Sequence, residues 1–257
     1  MQAVILAGGL GTRISEESDF KPKPMIEIGG KPILWHIMKI YSSFGVTDFI
    51  ICLGYKGYVI KDYFNNYLLH NSNVKFDLKD KTVQSYESNS EPWSVTLVDT
   101  GLTTGTAGRL LLAKPYLEPE EDFCLTYGDG VSDINIQEEI KFHKKNKKIA
   151  TVCAIQPPGR YGLMKLKDGL VVSFSEKPTS EEEWINGGFF IFNQEIFKKI
   201  DKLEESLEVD TIPKLVSENN LSAWPHRGFW QSMDTLRDKR TLEDLWEKKM
   251  PPWKVWK

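Results

Sequence analysis

Along the first part of the chain, short β-branched runs alternate with segments whose apolar residues recur at helical spacing, an order that few folds admit. Residues 3–6 read as a strand, Ile33, Ile37, Ile40, Tyr41 and Phe44 fall on one helical face, and residues 49–53 read as a second strand. The alternation predicts a βαβ unit, and with it a parallel sheet covered by helices. A further helix is expected over 58–69, strands over 95–98 and 123–126, and a helix over 106–112 with Pro115 just beyond its end.

After Asp129 the pattern changes. A helix over 136–145 leads into strands at 149–155, 161–166, 170–174 and 189–192, which follow one another too closely to run all parallel. The expected fold class is therefore α/β, with a mixed sheet flanked by helices, parallel in its first half and rich in antiparallel pairs in its second. The polar stretch 71–92 predicts a hairpin or flap. A last helix over 235–247 precedes a tail, 250–257, that carries Trp253 and Trp256. A chain of 257 residues can bury a sizeable core as one domain, read here as 1–130, 131–240 and a closing 241–257.

Composition removes several classes of function. Forty per cent hydrophobic and 27% charged residues describe an ordered globular chain. The net charge is −3 and the 33 basic residues are dispersed, so no stripe is available for nucleic acid. No window approaches the roughly 20 apolar residues that cross a bilayer, and no basic leader precedes the first strand, which predicts a cytoplasmic protein without a membrane partner. Cys52, Cys124 and Cys153 sit in separate apolar runs without paired spacing and read as reduced core thiols.

Chemistry begins directly after the first strand, in Leu6-Ala7-Gly8-Gly9-Leu10-Gly11-Thr12-Arg13. Glycines let backbone N–H groups approach a phosphate without Cβ obstruction, although a plain glycine-rich turn would look the same. The spacing is neither that of a dinucleotide fingerprint nor that of a P-loop. Eight residues after Arg13, Lys21-Pro22-Lys23-Pro24-Met25 holds lysines in a chain stiffened by two prolines, and a stiffened lysine near a glycine nest favours a polyphosphate.

Leu6 to Arg13 followed by Lys-Pro-Lys-Pro-Met resembles the signature of the sugar-nucleotide pyrophosphorylases. The run from Lys23 through Met38, Tyr127-Gly128-Asp129-Gly130-Val131 and the run from Phe229 to Asp238 resemble, within that family, the members acting on CTP and glucose 1-phosphate. The resemblance spans nearly the whole chain. It implies the Rossmann-like nucleotide-diphospho-sugar transferase fold, with nucleotide bound by 1–130 and sugar phosphate by 131–240. It implies Mg2+ as the metal and a closed homo-oligomer, up to a hexamer. The aromatic-rich 58–69 segment and the tryptophan-bearing tail offer apolar surface for self-association.

Asp129, between Gly128 and Gly130 at a strand's carboxyl end, stands where open α/β sheets bind ligands, and it equally suits a turn. Asp234, just before the last helix, reads first as a cap. By resemblance the two aspartates bind magnesium together, whereas Asp99, Asp133 and Asp238 read as capping or surface groups. Thr106, Gly108 and Arg109 enter a helix where the family reads the base. The helix start exposes N–H donors, and Arg109 is open to either base or phosphate. By resemblance Glu176 and Asn186, with Gly188 beside a strand, hold the sugar, Lys177 its phosphate, and Tyr161 and Gly162 line the same place. No histidine is needed.

The attacking phosphate oxygen is largely anionic at neutral pH, since its second pKa is about 6. Catalysis then consists of alignment and charge stabilisation by the glycine nest, Arg13, Lys23, Lys177 and magnesium, in a direct displacement at the α-phosphate. A uridylyl- or thymidylyltransferase shares all of this except the base site. A non-catalytic sugar-nucleotide sensor would not demand Arg13, Lys23, Asp129 and Asp234 together.

Overall fold

The computed structural model describes residues 1–11, 14, 21–156, 163–167, 170–175 and 183–256. Strand β1 (Ala3–Ala7) is followed by a 3-10 turn, Lys23–Met25, and a small ribbon of β2 (Glu27–Ile28) and β3 (Lys31–Pro32). The helix Ile33–Ser43 leads into β4 (Asp48–Leu53). Helices Gly57–Asn65 and Tyr67–His70 replace the single helix expected over 58–69, with Asn66 at the break. The 71–92 stretch is a hairpin of β5 (Ser72–Asp77) and β6 (Thr82–Ser88), ahead of β7 (Ser94–Asp99). The helix Thr106–Ala113 precedes β8 (Phe123–Tyr127) and β9 (Gly130–Ser132). The helix Ile136–Asn146 is followed by β10 (Ala150–Ile155), β11 (Leu163–Lys167), β12 (Leu170–Ser175) and β13 (Ile185–Phe192). A π-helical turn, Leu207–Thr211, runs into the helix Ile212–Ser217, then β14 (Leu221–His226), β15 (Trp230–Ser232) and the helix Leu236–Glu247.

Among the described residues seven strands form the central sheet, in the order β14-β10-β13-β8-β1-β4-β7. The chain leaves β1 towards β4 and β7, then returns to place β8 on the other side of β1. That reversal is a topological switch point, and the carboxyl ends of β1 and β8 open a crevice there. Both faces of β1 are covered, as a parallel strand demands: Ala3, Ile5 and Ala7 meet the Ile33–Ser43 helix side of the core, Val4 and Leu6 the Thr106–Ala113 side.

The second half is rich in antiparallel pairs, as expected. Within the central sheet only β13 runs against its neighbours, because β11 and β12 pair with each other in a separate ribbon and β14 adds to β10 in parallel. β14 carries Pro225, which an edge strand tolerates.

The tryptophan tail is a further correction. Trp253 is fully buried, its Nε1 donates to His36 Nδ1 at 3.3 Å, and Trp35, Trp246 and Trp256 pack around the same imidazole. The tail therefore closes this chain's own core. His36 Nδ1 accepts, so Nε2–H donates to Ile28 O at 2.9 Å, and burial pulls the imidazole pKa down to about 4. Cys52, Cys124 and Cys153 are buried and free, and burial raises all three thiol pKa values.

Candidate active site

Leu6, Ala7, Gly8, Gly9, Leu10, Gly11, Lys23, Thr106, Arg109, Gly128, Asp129 and Asp234 line one cleft of about 490 Å3 at the switch point. A second cleft of about 330 Å3 is lined by Tyr127, Asp129, Asn186, Gly187, Gly188, Glu208, Trp230 and Asp234. The two share Tyr127, Asp129 and Asp234, so both acids stand where the clefts meet. Thr12, Arg13, Tyr161, Gly162, Glu176 and Lys177 lie outside the described residues.

Local pairing explains how acids 105 positions apart converge. β9 starts one residue after Asp129 and β15 ends two before Asp234. Their antiparallel register sets Gly130 opposite Ser232, and Met233 N donates to Asp129 O at 2.8 Å. Ser232 Oγ donates to Asp234 Oδ2 at 3.0 Å, while Asp234 N donates to Asp238 Oδ2 at 3.1 Å. Asp238 completes a capping box with Thr235, the structural role expected for it.

Lys23 reaches both acids. Pro22 and Pro24 bracket it in the 3-10 turn, and its Nζ donates to Asp129 Oδ2 at 2.6 Å and to Asp234 Oδ1 at 2.8 Å. Burial alone would lower the ammonium pKa, but Asp129 and Asp234 outweigh it and hold the value above 10.5. One cation thus already bridges two carboxylates at the floor of the cleft. Among the described residues no group of three or more His, Cys, Asp or Glu is arranged to hold a metal, so a divalent ion here would have these two carboxylates and otherwise substrate oxygens and water.

Arg109 is committed to its own chain. Its Nη1 donates to Thr100 Oγ1 at 2.5 Å, Gly101 O at 2.9 Å and Leu53 O at 3.1 Å, binding together the loops that follow β4 and β7. A Cβ on Gly8 would lie 2.1 Å from Nη1, so the guanidinium forms the bed on which the glycine turn rests. The entrance of the Thr106–Ala113 helix is likewise occupied. Gly105 N donates to Leu203 O at 2.8 Å and Ala107 N to Glu205 O at 3.0 Å, and a Cβ on Gly108 would lie 1.9 Å from Leu203 O. The N–H donors expected there for a base are spent on this segment, and Gly108 is glycine because a carbonyl presses on it.

Three groups escaped sequence reasoning. Tyr127 Oη donates to Glu208 in a short contact and accepts from Asn186 Nδ2 at 3.3 Å. Glu208 also accepts from Thr106 Oγ1 at 2.7 Å and Ser206 Oγ at 2.6 Å. Trp230 Nε1 donates to Gly187 O at 2.6 Å and fixes the wall beside Asn186. Tyr127 and Trp230 stand in motifs that carry the family resemblance, without a role read for them there, and Glu208 is marked only by its place among acids after Ser206, an N-cap pattern.

The sequence matches the model of the family described as nucleotidyl transferase over residues 2–249. It is 54% identical to the glucose-1-phosphate cytidylyltransferases of Salmonella typhimurium (strain LT2) and Salmonella typhi, over 100% of this chain and 100% of each relative. The fold is shared with HddC from Yersinia pseudotuberculosis, at a TM-score of 0.69 and 24% identity over 95% of this chain and 99% of that one. No helix among the described residues is long and apolar enough to cross a membrane. With its acids and Lys23 at the switch point of such a sheet, this chain belongs to the nucleotidyl transferase family, in the group formed by those glucose-1-phosphate cytidylyltransferases.

Proposed function

We propose that this protein transfers the cytidylyl group of CTP to glucose 1-phosphate, releasing CDP-glucose and pyrophosphate. The observation that carries the reading is the meeting of two clefts at Asp129 and Asp234, each cleft of a size that suits a small ligand. Full-length likeness to named cytidylyltransferases supports the choice of base and sugar.

The first cleft takes the nucleotide, its phosphates against the Gly8-Gly9-Leu10-Gly11 backbone and, as the family resemblance implies, Thr12 and Arg13. The second takes the sugar at Asn186 and Gly188 and, as the family resemblance implies, Glu176, with Lys177 on its phosphate and Tyr161 and Gly162 alongside. Asp129 and Asp234 would hold a divalent ion, which we assign as Mg2+. The donor set fits, because Lys23 already shows that one cation reaches both carboxylates. Bound there, the ion would supply charge neutralisation at the transferred phosphate and the leaving pyrophosphate.

The chain's own groups align and neutralise. Lys23 lines the nucleotide cleft and exchanges carboxylate oxygens for phosphate oxygens as the triphosphate enters. Asp129 and Asp234 stand where the two clefts meet, so ligands filling both clefts bring an oxygen of the sugar phosphate in line with the α-phosphorus. That oxygen is already anionic, so no general base is required. The reading assigns the protein to the cytoplasm and to a homo-oligomer, for which exposed Tyr58 and Leu68 offer apolar surface.

The test is pyrophosphate release from glucose 1-phosphate, magnesium and each of CTP, UTP, dTTP, ATP and GTP. CTP should dominate, and α-labelled CTP should leave no label on the protein. Preference for another nucleotide would overturn the base assignment, and labelled protein would overturn direct displacement.

A further inference from the structure

A single carboxylate ties together the walls of both clefts. Glu208 Oε2 accepts from Thr106 Oγ1 at 2.7 Å and Ser206 Oγ at 2.6 Å, and both of those residues line the nucleotide cleft. Glu208 Oε1 accepts from Tyr127 Oη, whose ring walls the sugar cleft and whose oxygen also accepts from Asn186 Nδ2. The Tyr127 ring is seated on Gly188, where a Cβ would stand 2.6 Å from its Cδ2. Thr106 is locked in turn, because Leu207 N donates to its hydroxyl at 2.8 Å.

The backbone that presents this carboxylate is unusual. Glu208 stands in the π-helical turn Leu207–Thr211, capped by Ser206, whose Oγ accepts from Glu208 N and Val209 N. A π turn is rare and tends to occur where a side chain must be aimed for function. Partial enclosure would raise the Glu208 pKa, but the bonds from Ser206, Tyr127 and Thr106 bring it below the usual value, so the acceptor stays ionised at neutral pH. Charge-assisted bonds of this kind are short and resist stretching. The planar carboxylate therefore passes a displacement of Thr106 on to Tyr127.

We propose that Glu208 is a positioning residue that couples the two clefts, so that filling the nucleotide cleft tightens binding in the sugar cleft, and the reverse by thermodynamic necessity. The inference rests on the assignment of nucleotide and sugar phosphate to these clefts. Neither ligand need touch Glu208 for the coupling to operate, since Thr106 and Tyr127 bound the two spaces.

Calorimetric titration of glucose 1-phosphate into the magnesium-loaded protein, with and without α,β-methylene-CTP, measures the coupling in a complex that cannot react. The wild type should bind the sugar phosphate about tenfold tighter with the analogue present. Glu208→Gln keeps the volume but loses the charge and one acceptor, and Tyr127→Phe removes the bond to Glu208 together with the acceptor of Asn186 Nδ2. In both variants the ratio between the two sugar-phosphate affinities should fall below about twofold, whatever happens to the affinity for either ligand alone. Coupling retained in both variants, or absent from the wild type, overturns the inference and leaves the substrate reading standing. Weaker binding of each ligand with an unchanged ratio also overturns it, since that is a purely structural effect. A wild type that binds neither ligand refutes the substrate reading, and this inference with it.

Discussion

The two clefts are walled by different materials. The nucleotide cleft is largely backbone, made of the glycine turn after β1, Gly105, Gly128 and the loops braced by Arg109. The sugar cleft is largely side chain, made of Tyr127, Asn186, Glu208 and Trp230. Backbone recognises what all nucleoside triphosphates share and changes little with sequence, except where a Cβ would fill it. A side-chain wall is selective, and it can be altered one contact at a time. Asp129 and Asp234 line both clefts, and Lys23, on the nucleotide side, bridges the two acids.

The largest effect should therefore come from the junction. Asp129→Asn or Asp234→Asn should lower turnover by about 10²–10³-fold, with CTP and glucose 1-phosphate affected together, as steady-state pyrophosphate release would show. A loss confined to the KM of one substrate would assign that acid to one cleft and break the comparison.

The frame behind the junction has its own signature. His36 is neutral in the folded protein with a pKa near 4, against about 6.5 when unfolded, so the unfolded state binds more protons between those values. Stability is then intact above pH 6.5 and falls as the pH drops towards 4, by about 3 kcal/mol in all. Urea unfolding at pH 7 and pH 4.5 should show the loss in the wild type and a smaller one in His36→Gln. Equal losses would place the acid sensitivity elsewhere.

Within the nucleotide wall, Gly8→Ala sets a Cβ against Arg109 and should destabilise the protein by about 1–3 kcal/mol. Gly9→Ala meets nothing within 4 Å and should melt like the wild type. Within the sugar wall, Asn186→Ala should raise the KM for glucose 1-phosphate about tenfold and leave that for CTP unchanged, the scale of one lost hydrogen bond. If Asn186→Ala changed both KM values alike, the walls would not be separate.

What the sequence displayed follows the same division. The turn after β1, Lys23 between its prolines and Asp129 after β8 are local arrangements, readable because a strand end, a glycine and a charge lie within a few residues. The βαβ alternation announced the parallel start of the sheet, whereas its strand order and the edge strand β14 were not legible. Glu208 was illegible, since it acquires its place only when a π turn brings it to Tyr127, 81 positions away. Arg109 lines the nucleotide cleft, but its bracing of the two loops was illegible, because its carbonyl partners are backbone and carry no sequence mark. The tryptophans of the tail looked outward because the side chain they pack on, His36, stands 217 positions before Trp253.

The most direct test of the account is a crystal structure with α,β-methylene-CTP, glucose 1-phosphate and magnesium bound together. The account predicts the α-phosphorus about 3–3.5 Å from a sugar-phosphate oxygen, with one metal between Asp129 and Asp234 and Lys23 turned from the acids to the phosphates. A metal held elsewhere, or two ligands whose reacting atoms do not meet at that pair, would contradict it.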